Sequence, residues 1–317
     1  MTRIAVLDDY QGVAREHAQW DSLQGSEVQF FHDHEHDESR LAARLAAFEV
    51  IVAMRERTPF TRSLLQQLPQ LRLLVTTGMR NASIDIAAAT EFGITVSGTE
   101  GLPYPTAELT WGLILALARK IPSEDRALRR GQWQTSLGVG LQGKTLALLG
   151  LGRLGSQVAR IGAAFGMRVL AWSPNLTRER ALAGGAELVA REELFRRADV
   201  LSIHLVLSER TLGLVGAGEL ALLKKSAFLV NTSRGPLVDE GALIAALTRG
   251  DFAGAGLDVF EREPLPPSHP FLTLENTVLT PHLGYVTAET YRIFYAHALE
   301  DIQAYFAGAP KRVISAA

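Results

Sequence analysis

The chain has 317 residues, 47% apolar and 21% charged, a composition that suits about two globular domains and lies far from disorder. With 32 Lys and Arg against 34 Asp and Glu there is no basic excess for nucleic acid or an anionic membrane, and the absence of cysteine excludes disulfides, thiol catalysis and cysteine-ligated metal. No apolar run nears the ~20 residues of a membrane span, and Met1-Thr2-Arg3-Ile4 enters a strand pattern with no signal-peptide architecture, so a soluble, cytoplasmic enzyme or binding protein is expected.

Short β-branched or apolar runs at 4–7, 28–31, 50–53, 73–76 and 94–96 read as strands, with helical patterns such as 41–48 and 63–68 between them. This alternation predicts a parallel sheet covered on both faces. The tract His32-Asp33-His34-Glu35-His36-Asp37-Glu38 is short and polar. On an extended strand His32, His34 and His36 would share a face, as metal ligands do. The interleaved acids point instead to a solvated strand end or loop. Pro103 and Pro105 precede a helix expected from Thr106 to about Arg119, with Pro122 as its stop. A second strand series follows at 145–149, 168–171, 200–204, 227–231, 254–258 and 277–279, then a helical pattern at 288–306. Two doubly wound α/β units are predicted.

Gly150-Leu151-Gly152-Arg153-Leu154-Gly155 fits G-x-G-x-x-G, closes the strand at 145–149 and opens a helix at 156–164. In that setting Gly150 permits the tight turn, Gly152 lets backbone approach a pyrophosphate, and Gly155 lets helix and strand pack closely. The helix N-terminus adds free amides and a positive dipole end. The pattern predicts NAD(P). The next strand ends Ala171-Trp172-Ser173-Pro174-Asn175, so Ser173 stands where a carboxylate usually binds the ribose. Serine does not repel a 2′-phosphate, and Asn175 and Arg178 are able to donate to one. NADP(H) is therefore expected to be accepted; the alternative is that Ser173 is a turn residue and Arg178 is merely solvated.

Three downstream segments lie at or just beyond predicted strand ends, where ligands bind in open α/β sheets. They are Asn231-Thr232-Ser233-Arg234-Gly235, Asp258-Val259-Phe260-Glu261-Arg262-Glu263-Pro264 and Thr280-Pro281-His282-Leu283-Gly284. On these motifs, the glycine motif and Met54-Arg55-Glu56-Arg57-Thr58-Pro59, the chain resembles the D-isomer-specific 2-hydroxyacid dehydrogenases. That family includes phosphoglycerate dehydrogenases and glyoxylate/hydroxypyruvate reductases. The resemblance implies a Rossmann dinucleotide-binding domain at 99–285 inserted in a discontinuous flavodoxin-like substrate domain, 1–98 with 286–317. It also implies a homodimer built through the cofactor domains.

By the same resemblance His282 is the general acid/base, Glu263 pairs with it, and Arg234 holds the substrate's carboxylate and carbonyl. The chemistry agrees with these roles. Hydride addition to C2 of a 2-oxo acid builds negative charge on its oxygen, an imidazolium can protonate it, and a guanidinium takes a carboxylate through two parallel bonds. Taken singly, His282 also reads as a loop residue, Glu263 as solvent-facing, and Arg234 as a partner of Asp239. The resemblance further implies that Asp258 accepts from the nicotinamide carboxamide, and that Arg153 and Leu154 offer amides to the pyrophosphate. His204, Val206 and Thr211 would line the adenosine side and Thr232 would lie beside the nicotinamide. The loop Thr77-Gly78-Met79-Arg80-Asn81 would grip the substrate carboxylate, with Met79 and Arg80 where the family often has glycine. Arg55 and Tyr285 are expected to border the substrate. Hydride chemistry of this kind calls for no metal. Glyoxylate, hydroxypyruvate and related 2-oxo acids lead as substrates. A dinucleotide-dependent corepressor sharing the fold, or an enzyme using phosphite or formate as donor, are the competing readings.

Overall fold

A computed structural model of the chain describes residues 1–316. Its strands are β1 (Thr2–Val6), β2 (Ser26–Phe30), β3 (Val50–Ala53), β4 (Leu73–Thr76), β5 (Thr95–Gly98), β6 (Thr145–Leu149), β7 (Arg168–Trp172), β8 (Glu187–Leu188), β9 (Val200–Ile203), β10 (Phe228–Asn231), β11 (Gly254–Leu257) and β12 (Thr277–Leu279). Its α-helices are α1 (Ala14–His17), α2 (Glu38–Leu45), α3 (Arg62–Gln66), α4 (Ile86–Glu91), α5 (Pro105–Ala118), α6 (Ile121–Arg129), α7 (Arg153–Ala164), α8 (Arg178–Ala183), α9 (Arg191–Arg197), α10 (Ala217–Leu220), α11 (Glu240–Arg249) and α12 (Ala288–Phe306). By internal packing the chain divides into two compact units, Met1–Leu102 with Thr287–Ala317, and Pro103–Val286. No helix among the described residues is long and apolar enough to cross a membrane.

The first unit holds a parallel sheet in the order β2-β1-β3-β4-β5. β3 and β4 are buried at every position, which is why they read as unbroken apolar runs and not as an alternation. Leu41, Leu45, Leu64 and Leu65 cover one face, while α12 packs on β4 and α1. The strand expected at 94–96 starts one residue later, because the amide of Ile94 closes α4 onto Ala89. The histidine tract also departs from expectation. His34 is buried, and its Nδ1 lies 2.8 Å from Oδ1 of Asp8. The other oxygen of Asp8 accepts from the Thr58 hydroxyl at 2.7 Å. The acids flanking His34 in sequence gave no sign of this partner at the end of β1. His32 and His36 are exposed.

The second unit holds a parallel sheet in the order β12-β11-β10-β9-β6-β7-β8. Residue parity sorts its two cores. Leu146 and Leu148 face Trp111 of α5 and Val158 of α7, whereas Ala147 and Leu149 face Phe195 of α9 and Leu243 of α11. Pro122 does not stop the preceding helix. α5 ends at Ala118, Lys120 reverses the chain at φ 53°, and Pro122 sits in the first turn of α6, where a missing amide costs nothing. The short edge strand β8 was not expected. The registers matter most for the site: Leu279, Leu257, Asn231, Ile203, Leu149 and Trp172 stand side by side across the sheet. Six strands thus end in line, and the loops that follow them leave from one edge.

Candidate functional site

At that edge β6 runs into the glycine loop. Gly150 has φ 107°, and a side chain there would come within 2.6 Å of the His204 carbonyl oxygen. Gly155 packs on the Gly150 carbonyl, which leaves no room for a Cβ. Gly152 differs: its Cβ position faces open space, and it caps α7. The amides of Arg153, Leu154 and Gly155 precede the first helical bond, Ser156 N to Gly152 O at 2.9 Å. An open, amide-lined helix end of this kind fits the pyrophosphate of a dinucleotide.

Beyond β7, Ser173 is half-buried while Asn175 and Arg178 are exposed. Arg180 joins them, donating to the Asn175 carbonyl at 3.3 Å. Arg180 was not among the expected residues, although the helix opened by Thr177 carries it two residues after Arg178. On the adenosine side the expected residues separate. Val206 is 77% exposed at the loop crest, but Thr211 is buried, donating to the Val206 carbonyl at 2.8 Å and accepting from the Ser208 amide. Its hydroxyl shapes the loop from within. The His204 imidazole bonds Ser202 Oγ through Nε2 at 2.9 Å, and its Nδ1 is buried without a hydrogen-bond partner. Burial pushes its pKa down to about 4.

The three neighbouring strand ends of β10, β11 and β12 carry the remaining groups. Gly235 fits only because it has no side chain against the backbone of Phe260 and Glu261, so the loop bearing Arg234 lies on the loop leading to Glu263. Asn231 fastens the Arg234 turn through bonds to Arg234 O and Ser233 N, and Arg234 Nη1 donates to Ser233 O at 2.7 Å. Asp239 caps α11 by accepting from Ala242 N. Thr232 is buried, its hydroxyl 2.8 Å from that of Thr110.

Asp258 fastens the turn that carries His282. Its buried carboxylate accepts from Thr280 Oγ1 at 2.6 Å, Leu283 N at 2.7 Å and Gly284 N at 2.9 Å, and burial raises its pKa. These bonds let the side chain hold the 280–284 turn. The backbone carbonyl of Asp258 and that of Thr280 both accept from His282 N, which keeps His282 at φ 54°. A non-glycine residue in that region stores strain of order 1–3 kcal/mol. His282 Nδ1 then meets Glu263 Oε2 at 2.6 Å, while Glu263 Oε1 accepts from Phe260 N at 2.9 Å. A carboxylate only accepts, so the Nδ1 proton lies in this bond and Nε2 is the atom left for chemistry. The Tyr285 ring stands edge-on to the imidazole at 5.5 Å.

In the first unit Arg55 has φ 51°, and its amide donates to Thr77 Oγ1 at 2.9 Å. Its guanidinium lies against Gly78, where a Cβ would meet it. The Gly78 amide is already engaged by Thr99 Oγ1 at 2.8 Å, and Thr77 is buried. Met79 and Arg80 are the exposed residues that follow in this loop.

The family model for the D-isomer specific 2-hydroxyacid dehydrogenase, NAD binding domain, matches residues 111–284. The chain belongs to this family. It is 46% identical to a glyoxylate reductase of Aeropyrum pernix over 77% of this chain and 76% of that protein. It is 40% identical to a D-3-phosphoglycerate dehydrogenase of Methanocaldococcus jannaschii over 80% of this chain, but spans only 49% of that longer protein. A phosphoglycerate oxidoreductase structure from Vibrio cholerae superposes with a TM-score of 0.93 at 41% identity, covering 98% of this chain and 100% of the other. The chain is thus an oxidoreductase of CH–OH groups with a nicotinamide dinucleotide site in its second unit.

The His204 pKa has a stability consequence. The folded value of about 4 lies below the ordinary 6.5, so the unfolded chain binds the extra proton between these limits. The contribution is complete above about pH 6.5 and is lost as pH falls toward 4. Thermal melts across that window should show His204→Asn with a shallower decline in Tm than the parent; parallel curves would remove His204 from the account.

Proposed function

We propose that the protein reduces small 2-oxo acids of the glyoxylate and hydroxypyruvate type to D-2-hydroxy acids, and runs the reverse oxidation. The observation that carries this reading is the 2.6 Å His282–Glu263 bond on the same sheet edge as Arg234 and the glycine cradle. The cradle's residues would hold the pyrophosphate of the dinucleotide, whose reduced nicotinamide ring would supply the hydride. His282 holds a proton at Nε2 and passes it to the 2-oxo oxygen as negative charge builds there. Glu263 fixes the ring and its tautomer, and Asp258 positions the turn that presents it. Arg234 takes the carboxylate and carbonyl of the acid through paired donors. In the first unit Met79 and Arg80 offer backbone to the carboxylate, with Arg55 beside Gly78. His282→Ala should lower kcat by about two to four orders of magnitude while leaving dinucleotide affinity near that of the parent. Near-normal turnover would remove His282 from the proton step.

The dinucleotide reading extends to NADPH. Ser173 carries no charge to repel a 2′-phosphate, and Asn175, Arg178 and Arg180 stand nearby in the chain beyond β7. The enzyme is therefore expected to use NADPH at least as well as NADH. Ser173→Asp should shift the ratio of kcat/KM values toward NADH by about tenfold or more. A strong NADH preference in the unaltered protein would refute this.

We also propose a homodimer formed through the second unit. Ile121 and Leu128 of α6 are 53% and 56% exposed, and Trp133 and Leu137 beyond it are 77% and 90% exposed. Thr135 and Ser136 tie that loop back to α6 through Glu124. An apolar set of this extent suits a self-complementary interface. Sedimentation should give a dimer, and Trp133→Glu with Leu137→Glu should give a monomer. A monomeric parent would end the proposal.

A further inference from the structure

Residues 312–314 form a short segment, bridged to β5 at Val313, that plays no part in the proposed reaction. It adds to the edge of β5 in antiparallel fashion. Gly98 N donates to Arg312 O at 3.0 Å, Ile314 N donates to Val96 O at 2.8 Å, and Ser97 pairs with Val313. The attachment converges on Gly98. A side chain there would stand 2.8 Å from the Gly78 carbonyl oxygen, 2.9 Å from Ile314 Cδ1 and 3.2 Å from Met79 Cα. The 312–314 segment and the 77–80 loop therefore press on the same residue. The next residue, Thr99, holds the Gly78 amide.

The segment is itself anchored. Arg312 is held at φ 48°, a strained conformation for a non-glycine residue. Its Nη2 reaches Glu300 Oε2 at 2.7 Å, Asp301 Oδ1 at 2.8 Å and the His297 carbonyl at 3.0 Å, all on α12. Asp301 is completely buried. Lys311 adds a bond to Glu300 at 2.5 Å. The same helix takes hold beyond β5, where Glu100 N donates to His297 Nδ1 at 3.3 Å. The end of β5 is thus gripped on one side by α12 directly and on the other by α12 through Arg312.

We infer that the 312–314 segment, pinned by Arg312 to Asp301 and Glu300, is a positioning element for the acid substrate: through Gly98 and Thr99 it sets the course of the 77–80 loop that receives the carboxylate. The inference rests on the proposed role of the 77–80 loop. It adds residues that touch neither substrate nor dinucleotide.

A pH signature accompanies this arrangement. Burial raises the Asp301 pKa to about 6, against the opposing pull of Arg312 and Lys311 and with help from the Glu300 charge. Lys311 and Arg312 hold Glu300 down at about 2. Burial and the Arg312 charge lower the pKa of His297, with Glu100 and Glu300 opposing. As pH falls through about 6, Asp301 takes up a proton and Arg312 loses one of its anionic partners, while Glu300 keeps its charge.

The test uses glyoxylate kinetics and NADH titration on the full chain. Arg312→Ala and Ile314→Ala should each raise KM for glyoxylate by about tenfold with kcat and NADH affinity within about twofold of the parent. Arg312→Lys should recover part of the loss. The parent's KM should climb below about pH 6, and Asp301→Asn should abolish that climb. If Arg312→Ala fails to fold by circular dichroism, Ile314→Ala and Arg312→Lys decide the matter. Gly78→Ala separates the two claims, since its Cβ would strike the Arg55 guanidinium. Should Gly78→Ala raise KM while the Arg312 and Ile314 variants do not, the inference about the 312–314 segment falls and the loop reading stands. An unchanged KM in Gly78→Ala overturns the loop reading and the inference with it.

Discussion

The second unit turns on one buried carboxylate. Asp258 stands just beyond β11 and takes the Thr280 hydroxyl and the amides of Leu283 and Gly284, while its carbonyl takes the amide of His282. Four bonds from one residue fold the loop after the adjacent strand into a shape that a histidine would not adopt alone. A buried ionisable group without partners costs several kcal/mol. Here each oxygen is engaged, and what the burial yields is direction: Nδ1 of His282 toward Glu263, Nε2 outward.

The sheet makes that local geometry useful. Because the registers place the ends of six strands in line, the loops of β10, β11 and β12 are neighbours, and the glycine loop of β6 leaves from the same edge. Parallel topology alone brings helix N-termini and loop side chains to one side. Small residues then set how closely the loops approach. Gly150 admits the His204 carbonyl and Gly235 admits the Phe260 backbone. Chemistry-bearing groups drawn from residues 150 to 284 therefore lie along one edge without long connecting loops.

Much of this was legible in the sequence, and the reasons for the exceptions are physical. The glycine motif could be read because its spacing encodes a turn, an open face and a packing contact, and the structure has the turn at Gly150, open space at Gly152 and the contact at Gly155. Arg234, Glu263 and His282 could be read because each follows a strand, and strand ends in such a sheet converge. What could not be read were pairings across distant segments. The Asp8–His34 bond joins residues 26 apart, and a tract of alternating acids and histidines looks the same whether solvated or docked. The engagement of Gly78 N by Thr99 depends on which strand lies next to which. The left-handed turn at Lys120 lacks the glycine that usually announces one, so Pro122 read as an ending and not a beginning.

The division of the chain has a bearing on how it is made. The second unit is a single stretch, and its cores draw only on residues within it. The first unit needs α12 against β4 and α1, with Tyr295 edge-on to Trp20. On a ribosome its early strands must therefore wait, lacking their covering helix, until the whole nucleotide-binding stretch has emerged. A chaperone that shelters nascent apolar sheet would find its natural target in that interval.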